Sequence, residues 1–404
     1  RTAVITFSAF SGSLNLSFVL NQETYLTHSI EIPEGWSGLS SYIMPANNSI
    51  TDVMAPVSPN FVILQNMDGI FYPDESINTI VTWDAQSAYK IKLTVNSILD
   101  IVGEEETNKT FVMDAGWSLM PVIANIPVDA EGLFSEADVR IVKDAAGIGL
   151  YWPEYGINTL GDFLPGLAYM VNMNASGSIT FPPNAKQAAQ FEIPDHRLPE
   201  TPWNVNITGP ATHAVAVLSE GYNGLMPGDV LAVMNAAGEC FGISEMASLS
   251  ENASVSVFAD DPYTLEKDGF ENGDEMNFKL YRPQSNEVFE VSATWDQKQP
   301  NTGNFHENGI SMITKLKVSP VGINQAMANS IGLWPNPTNG MVKISGIEDF
   351  NKIEIYNAAG KMEKVLDTRN KYELNLDLSA LPAGVYQLRF SGEESTVIKK
   401  LIRK

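Results

Sequence analysis

Residues 260–275 hold the densest group of side chains with chemical potential, seven carboxylates and one lysine in sixteen positions. Crowded carboxylates repel one another unless solvent or a cation screens them, and Ca²⁺ accepts about six to eight oxygen ligands. The spacing does not match the D-x-D-x-D-G loop of an EF-hand. Two interpretations stay open: a solvated acidic loop, or a calcium site with the ligands Asp260, Asp261, Asp268 and Asp274.

Histidine, cysteine, serine and paired carboxylates, the side chains that most often catalyse reactions, do not occur here at the spacings of known catalytic motifs. The four histidines are widely separated and form no metal-ligating pattern with one another or with the single cysteine, Cys240, which is predicted to be a small core residue. No Gly-x-Ser-x-Gly nucleophile elbow occurs, and no pair of carboxylates can be placed across a cleft for glycoside hydrolysis. We therefore predict that this chain is not an enzyme.

A third candidate site is aromatic. Tyr72, Trp83, Tyr151 and Trp152 recur along the first half of the chain and could stack on sugar rings, so they are candidates for a ligand platform. The alternative is that they are core residues, which is the commoner use of large aromatic side chains. The same alternative applies to Trp36 and Trp117, which we expect to pack inside the protein.

These aromatic residues belong to an internal repeat of about eighty residues. Landmarks return in the same order: G-I-F-Y-P at 69–73 as G-L-Y-W-P at 149–153, I-N-T at 77–79 as I-N-T at 157–159, A-Y at 88–89 as A-Y at 168–169, and G-W-S at 35–37 as G-W-S at 116–118. The displacement is 80 or 81 residues throughout. This regularity predicts a duplicated supersecondary unit with equivalent turns at Asn78 and Asn158 and strands that end at Pro73 and Pro153.

The elements that must position these residues are predicted to be strands. Short alternating runs such as residues 89–95 are bounded by Gly, Pro, Asn and Asp, and long amphipathic helices are absent. Between residues 205 and 318, strand signals recur at intervals typical of an antiparallel sandwich or barrel. The sequence therefore predicts an all-β fold, with tandem duplicated β-rich units followed by a β-sandwich domain.

Breaks in composition suggest the domain boundaries. Prolines punctuate residues 182–202, and a small, polar segment lies near residue 325. The predicted divisions are the end of a truncated upstream β domain (1–30), repeat 1 (31–103), repeat 2 (104–184), a linker (185–202), a β-sandwich with the acidic loop (203–320), a second linker (321–331) and a C-terminal domain (332–404). Because the sequence starts at Arg1 without a leader, we expect that it lies inside a longer precursor.

Charge limits the class of partner. The chain carries 25 Lys and Arg against 48 Asp and Glu, a formal net charge of −23. Such a field repels phosphate backbones and anionic lipid surfaces, so nucleic acid is a poor candidate partner. No apolar run is long enough to predict a membrane-embedded segment. Residues 331–404 differ from the rest, with 11 basic and 9 acidic side chains.

The C-terminal segment carries a distinctive motif. It opens with P-N-P-T-N-G at 335–340, continues with G-V-Y at 384–386 and ends in a basic strand. Two prolines stiffen the entry and glycines permit tight turns. The residues that define the motif are Pro335, Asn336, Pro337, Gly340, Gly384, Tyr386, Lys399, Lys400 and Lys404.

This segment resembles the type A C-terminal sorting domain of the type IX secretion system of Bacteroidota. The resemblance implies an immunoglobulin-like sandwich of about seven strands, recognition by the secretion translocon, and removal by a sortase-like peptidase that cleaves in the 322–331 linker. It also implies delivery to the outer-membrane surface of a Gram-negative bacterium, or release from it. Residues 31–320 resemble, more distantly, the non-catalytic C-terminal modules of large Bacteroidota surface proteins.

Two hypotheses about function follow. In the first, the chain is the C-terminal part of a secreted or cell-surface protein with binding, adhesion or assembly modules, and a surface glycan or a protein is its ligand. In the second, it is the non-catalytic accessory region of a secreted hydrolase whose active site lies upstream of residue 1. The sequence of the full-length gene would discriminate between these two hypotheses.

Overall fold

A computed structural model describes residues 2–8, 15–21, 25–186, 191, 198–205, 209–320, 331–392 and 396–404. Most of the predicted 185–202 linker, and all of the 321–331 linker except Ile331, lie outside these residues, as does the predicted cleavage segment. The chain divides into two compact units, residues 1–287 with 291–318 and residues 288–290 with 319–404.

The chain is mostly strands, as the alternating sequence pattern predicted. Its first two strands, β1 (Thr2–Ser8) and β2 (Asn15–Asn21), pair with each other in antiparallel fashion. Their assignment to an upstream domain stays a prediction. In the described ranges, no helix has the length and apolar character that crossing a membrane would require.

Repeat 1 and its flanking residues form two packed sheets. Strands β3, β10 and β5 make one sheet in the order β3-β10-β5, and the other has the order β4-β9-β6-β7-β8. Ile30, Trp83, Tyr89, Ile91 and Leu99 are among the buried residues of the core. The elements are β3 (Leu26–Ile32), β4 (Gly35–Leu39), β5 (Ile43–Pro45), α1 (Ile50–Met54), a 3-10 helix (Ala55–Asn60), β6 (Phe61–Gln65), β7 (Ile70–Tyr72), a 3-10 helix (Pro73–Glu75), β8 (Ile77–Asn78), β9 (Tyr89–Leu93) and β10 (Ser97–Glu105).

Repeat 2 is built in the same way. Its main sheet has the order β12-β18-β14-β15-β16, and β11 pairs with β19 as β3 pairs with β10. The elements are β11 (Thr110–Met113), β12 (Gly116–Pro121), β13 (Val128–Asp129), α2 (Ala130–Leu133), β14 (Val139–Asp144), β15 (Leu150–Trp152), a 3-10 helix (Pro153–Tyr155), β16 (Ile157–Asn158), β17 (Asp162–Phe163), β18 (Ala168–Met173) and β19 (Gly177–Thr180).

The duplication extends to individual turns. Pro73 and Pro153 directly follow equivalent strands and begin equivalent 3-10 helices. The Asn78 side-chain oxygen accepts the backbone N–H of Val81 at 2.9 Å, and that of Asn158 accepts the N–H of Gly161 at 3.0 Å. The predicted equivalence of these prolines and asparagines is therefore confirmed. The boundaries drawn for the two repeats stay predictions.

The third part of the first unit is one large sheet, in the order β23-β22-β25-β26-β27-β20-β24, with β21 also paired to β27. Gly242 of β23 lies against the backbone of β24, so the two ends of the sheet approach each other as in a barrel. The strands are β20 (Thr212–Val217), β21 (Tyr222–Asn223), β22 (Asp229–Met234), β23 (Cys240–Met246), β24 (Ala253–Phe258), β25 (Asn277–Arg282), β26 (Glu287–Trp295) and β27 (Ile310–Pro320), with a 3-10 helix at Ser219–Gly221.

One prediction about this sheet is wrong in part. The spacing of the strand signals favoured an antiparallel sandwich or barrel, but β20 and β21 both run parallel to β27. The intervening residues bring β27 back beside β20 in the same direction, and a period-2 pattern specifies a strand without specifying the direction of its neighbour.

Cys240 is buried as predicted, and burial raises the pKa of its thiol.

Two buried lysines join the repeats to this sheet. Lys90 of β9 donates to the Pro210 carbonyl at 2.6 Å, and Lys143 of β14 donates to the Thr212 carbonyl. Burial lowers the pKa of Lys90 to about 8 and lowers that of Lys143 well below its usual value. The Lys143 ammonium also lies 4.8 Å from the ring centre of Trp117, which gives it a cation–π partner.

The described residues of the second unit form a sandwich of seven strands, in agreement with the count of about seven that the sequence resemblance implied. One sheet has the order β28-β29-β32 and the other β31-β30-β33-β34. Val342, Ile344, Ile353, Leu388 and Phe390 are among the residues of the core between them. The strands are β28 (Gly332–Trp334), β29 (Met341–Ser345), β30 (Lys352–Asn357), β31 (Met362–Asp367), β32 (Glu373–Asp377), β33 (Gly384–Ser391) and β34 (Thr396–Arg403).

Candidate functional site

The opening motif of the C-terminal domain covers the free edge of its last strand. Among the described strands, β34 has β33 as its neighbour on one side and no strand on the other. On the other side, the Asn336 side chain donates to the Lys400 carbonyl at 2.9 Å and accepts the Ile402 backbone N–H at 3.0 Å. An unpaired strand edge is a template for unwanted pairing, so this amide completes the sheet where the strand would otherwise be open.

The backbone of Thr338 also bonds to the edge of β34. Its N–H donates to the Ile402 carbonyl at 2.8 Å, and its carbonyl accepts the Lys404 N–H at 2.9 Å. The side chain of Thr338 is buried, and its hydroxyl oxygen accepts the Gly340 N–H at 3.1 Å. The site thus joins the start and the end of the domain.

Glycine is required at position 340 for two reasons. The residue has φ of +142°, a conformation that side chains rarely adopt, and an added Cβ would contact the Ser379 side chain. The Gly340 carbonyl accepts the Leu378 N–H at 2.7 Å, which ties the motif to the end of β32. Gly384 is different, because its φ is not positive and the nearest atom to an added Cβ is a Tyr386 ring carbon at 4.0 Å.

The other motif residues fix the far end of the sandwich. Tyr386 is buried and its hydroxyl donates to the Pro382 carbonyl at 2.7 Å. Lys400 and Lys404 are exposed and Lys399 is partly buried, so the last strand presents a basic surface whose backbone is held by the opening motif. Two residues of this site were not singled out from the sequence. They are Thr338, which lies within the P-N-P-T-N-G motif, and Arg403, whose guanidinium donates to the Leu378 and Ser379 carbonyls at 2.8 Å each.

Residues 332–404 match the family model of the secretion system C-terminal sorting domain. The C-terminal domain is a type IX secretion C-terminal sorting domain. A sorting domain implies interaction with the type IX secretion machinery and a secreted or cell-surface protein. The match is confined to the sorting domain, and no curated protein matches the chain by sequence.

Three solved structures were compared with the whole chain. A biofilm-associated protein BSP domain aligns over 100% of this chain and 66% of its own at 9% identity and a TM-score of 0.16. The Bacillus anthracis TIE protein aligns over 95% and 74% at 10% identity and a TM-score of 0.13. The N-terminal four immunoglobulin domains of Dscam1 isoform 9.44 align over 92% and 99% at 8% identity and a TM-score of 0.16. TM-scores this low do not indicate a shared fold or a shared function.

The acidic loop does not gather its carboxylates around a common centre. Asp260 accepts the Asp268 backbone N–H at 2.7 Å, and Asp268 accepts the Asp261 N–H at 3.0 Å. Asp274 accepts from Lys267 and from the Glu271 N–H. Among the described residues, no three Asp, Glu, His or Cys side chains converge to hold a metal ion. Calcium binding stays a prediction, and equal melting temperatures in EDTA and in calcium would contradict it.

One carboxylate of the loop, that of Asp261, points into the protein and contacts repeat 1. Asp261 is buried, and one of its carboxylate oxygens accepts from the Lys92 ammonium at 2.6 Å and from the Trp36 indole N–H at 2.7 Å. Beside it, the Tyr263 ring lies between those of Trp36 and Tyr72, with centroid distances of 5.9 and 5.4 Å. The loop therefore docks onto repeat 1 through Asp261 and Tyr263.

The aromatic platform requires correction. Trp83 and Trp152 have no exposed surface, and Tyr151 is also buried. Trp83 stacks on Tyr89 at 4.7 Å inside the core of repeat 1. Tyr72 is partly buried against Tyr263. A sugar ring needs an exposed aromatic face, so these four residues do not form such a platform. Trp36 is buried as expected, whereas Trp117 is only partly buried.

Within the described part of the chain, two serine–histidine pairs occur, and both are buried. His28 Nδ1 lies 3.0 Å from Ser41 Oγ, and His213 Nε2 lies 2.7 Å from Ser311 Oγ. Burial lowers the pKa of His28 to about 4 and that of His213 to about 3. A catalytic serine and its base must reach the substrate, and these pairs have almost no exposed surface. They are polar core residues that satisfy each other.

Proposed function

We propose that this chain is cargo of the type IX secretion system and that residues 25–320 act outside the cell as a binding or assembly module. The observation that carries the proposal is the sorting domain, in which the P-N-P-T-N-G opening at 335–340 is folded against the basic last strand. The proposed partners are the secretion translocon and a sortase-like peptidase that cleaves within 321–331. The proposed location is the outer-membrane surface of a Gram-negative bacterium or the medium around it.

The arrangement of the first unit supports binding rather than catalysis. Its described serine–histidine pairs are buried, and Asp260, Asp268 and Asp274 of the acidic loop accept hydrogen bonds from backbone or lysine donors. Binding proteins need a rigid frame, and the contacts of Asp261, Lys90 and Lys143 hold the repeats against the barrel-like sheet. An accessory role in a larger secreted hydrolase would use the same frame and the same export route.

Deletion of residues 332–404 should leave the protein in the periplasm of its host, because the secretion machinery recognises the sorting domain. Cell fractionation and protease accessibility at the surface of intact cells would measure this. The Asp68→Asn variant is a suitable control, since Asp68 is an exposed residue of the first unit and its substitution should leave export unchanged. Surface delivery of the deletion variant at the level of the intact chain would refute the proposal.

A further inference from the structure

The two repeats enclose a cleft of about 880 Å³ within the first unit. Repeat 1 contributes residues 31–33, 36–38 and 96–98, around the ends of β3 and β10. Repeat 2 contributes the β14–β15 hairpin at 144–148 and residues of the segment 160–169. A volume of this size lies in the range of sites that bury a small ligand or a few residues of a peptide.

The cleft is apolar inside and negatively charged. Its lining includes the carboxylates of Glu31, Asp144 and Asp162, and none of the described residues that line it is a lysine, arginine or histidine. Glu31 and Asp162 are exposed at the surface. Most of the remaining lining is apolar, and Ile98 exposes 60% of its side-chain surface. An exposed apolar residue beside the exposed carboxylates of Glu31 and Asp162 favours a ligand with an apolar body and a positive group.

One hairpin turn differs in length between the two repeats, and the longer copy lines the cleft. In repeat 1 the β6–β7 hairpin turns between Asn66 and Gly69, whereas in repeat 2 the equivalent turn runs from Asp144 to Gly149 and is two residues longer. The longer turn lines the cleft at residues 144–148, and its Ala146 packs against Trp36 of repeat 1. The insertion that distinguishes the copies therefore helps to form the cleft wall.

The lining also excludes other ligand classes. Trp36 and Tyr169 line the cleft but are almost fully buried, so neither offers an open ring face for a sugar. Anions such as phosphates and sulfated glycans would be repelled by three carboxylates with no cation among the lining residues.

We propose that this cleft binds a short peptide segment in which a lysine or arginine is flanked by apolar residues. The apolar side chains would cover Ile98 and the hairpin, while the cation would lie between Glu31 and Asp162. The proposal deepens the proposed function by naming the ligand of the binding module, and it is tested in vitro, independently of export.

Calorimetric titration of the full chain with three probes tests the ligand class. The probes are the peptide acetyl-Ala-Leu-Lys-Leu-Ala-amide, the same peptide with Glu in place of Lys, and spermidine, which has charge without an apolar body. We expect the lysine peptide to bind at least tenfold more tightly than the other two, and its affinity to fall as salt is raised. Equal affinities for the three probes, or no binding of the lysine peptide at millimolar concentration, would overturn the proposal.

Two variants locate the binding. Ile98→Arg places a cation in the cleft at an exposed strand position, and Val102→Arg makes the same change on the same face of β10 outside the cleft. We expect Ile98→Arg to weaken binding of the lysine peptide at least tenfold and Val102→Arg to change it less than twofold. The double change Glu31→Gln with Asp162→Asn should also weaken it about tenfold, with melting temperature as the check on folding. Equal effects of the two arginine variants would place the peptide elsewhere and refute the cleft.

Discussion

Replacing Asp261 with alanine is expected to lower the free energy of unfolding of the first unit by about 3 kcal/mol. The side chain is 6% exposed and its partner Lys92 is 14% exposed, so water screens the pair poorly. The substitution would leave a buried ammonium and the Trp36 indole N–H without their shared acceptor. Chemical denaturation of the full chain, followed by tryptophan fluorescence, would measure the change.

Asp274→Ala is the matched control, because Asp274 belongs to the same loop and also pairs with a lysine. That pair is exposed, with 42% of Lys267 and 33% of Asp274 accessible, and exposed ion pairs contribute about 0–1 kcal/mol. The account therefore expects a large effect at position 261 and a small one at position 274. Similar losses at both positions would show that docking of the loop onto repeat 1 does not stabilise the unit.

Gly340→Ala is expected to destabilise the sorting domain by about 2 kcal/mol and to reduce surface delivery. The cost has two sources, the φ of +142° and the approach of the new Cβ to Ser379. Gly384→Ala is the matched control, since that glycine has open space at the Cβ position and an ordinary φ. Thermal unfolding of both variants would compare the folds. If both were equally stable, the steric role assigned to Gly340 would be wrong.

Local patterns in the sequence predicted the parts of the fold that depend on local conformation. Pro73 and Asn78 determine a strand end and a turn through their own backbone chemistry, so their recurrence at Pro153 and Asn158 predicted equivalent chain paths. The motif at 335–340 likewise identified the sorting domain. In each case the information lies within a few neighbouring residues.

Contacts between residues far apart in the sequence produce no local sequence pattern, so they could not be predicted in this way. Asp261 meets Trp36 across 225 positions of the sequence, and its spacing within the loop suggested a calcium ligand or a solvated carboxylate. For Trp83 and Trp152 the sequence left both a core and a platform open, with the core as the commoner use, because repetition alone does not say which face of a turn is covered. Parallel pairing of β20 with β27 also depends on how distant segments pack.

The location of a passenger protein fused to residues 321–404 tests whether these residues direct export. The passenger would carry a signal peptide for the inner membrane, and its exposure at the cell surface or in the medium would be measured in the bacterial host. The account predicts that the intact fusion is delivered outside the cell and that the same fusion with Gly340→Ala is delivered less efficiently. Retention of the intact, folded fusion in the periplasm would contradict the account.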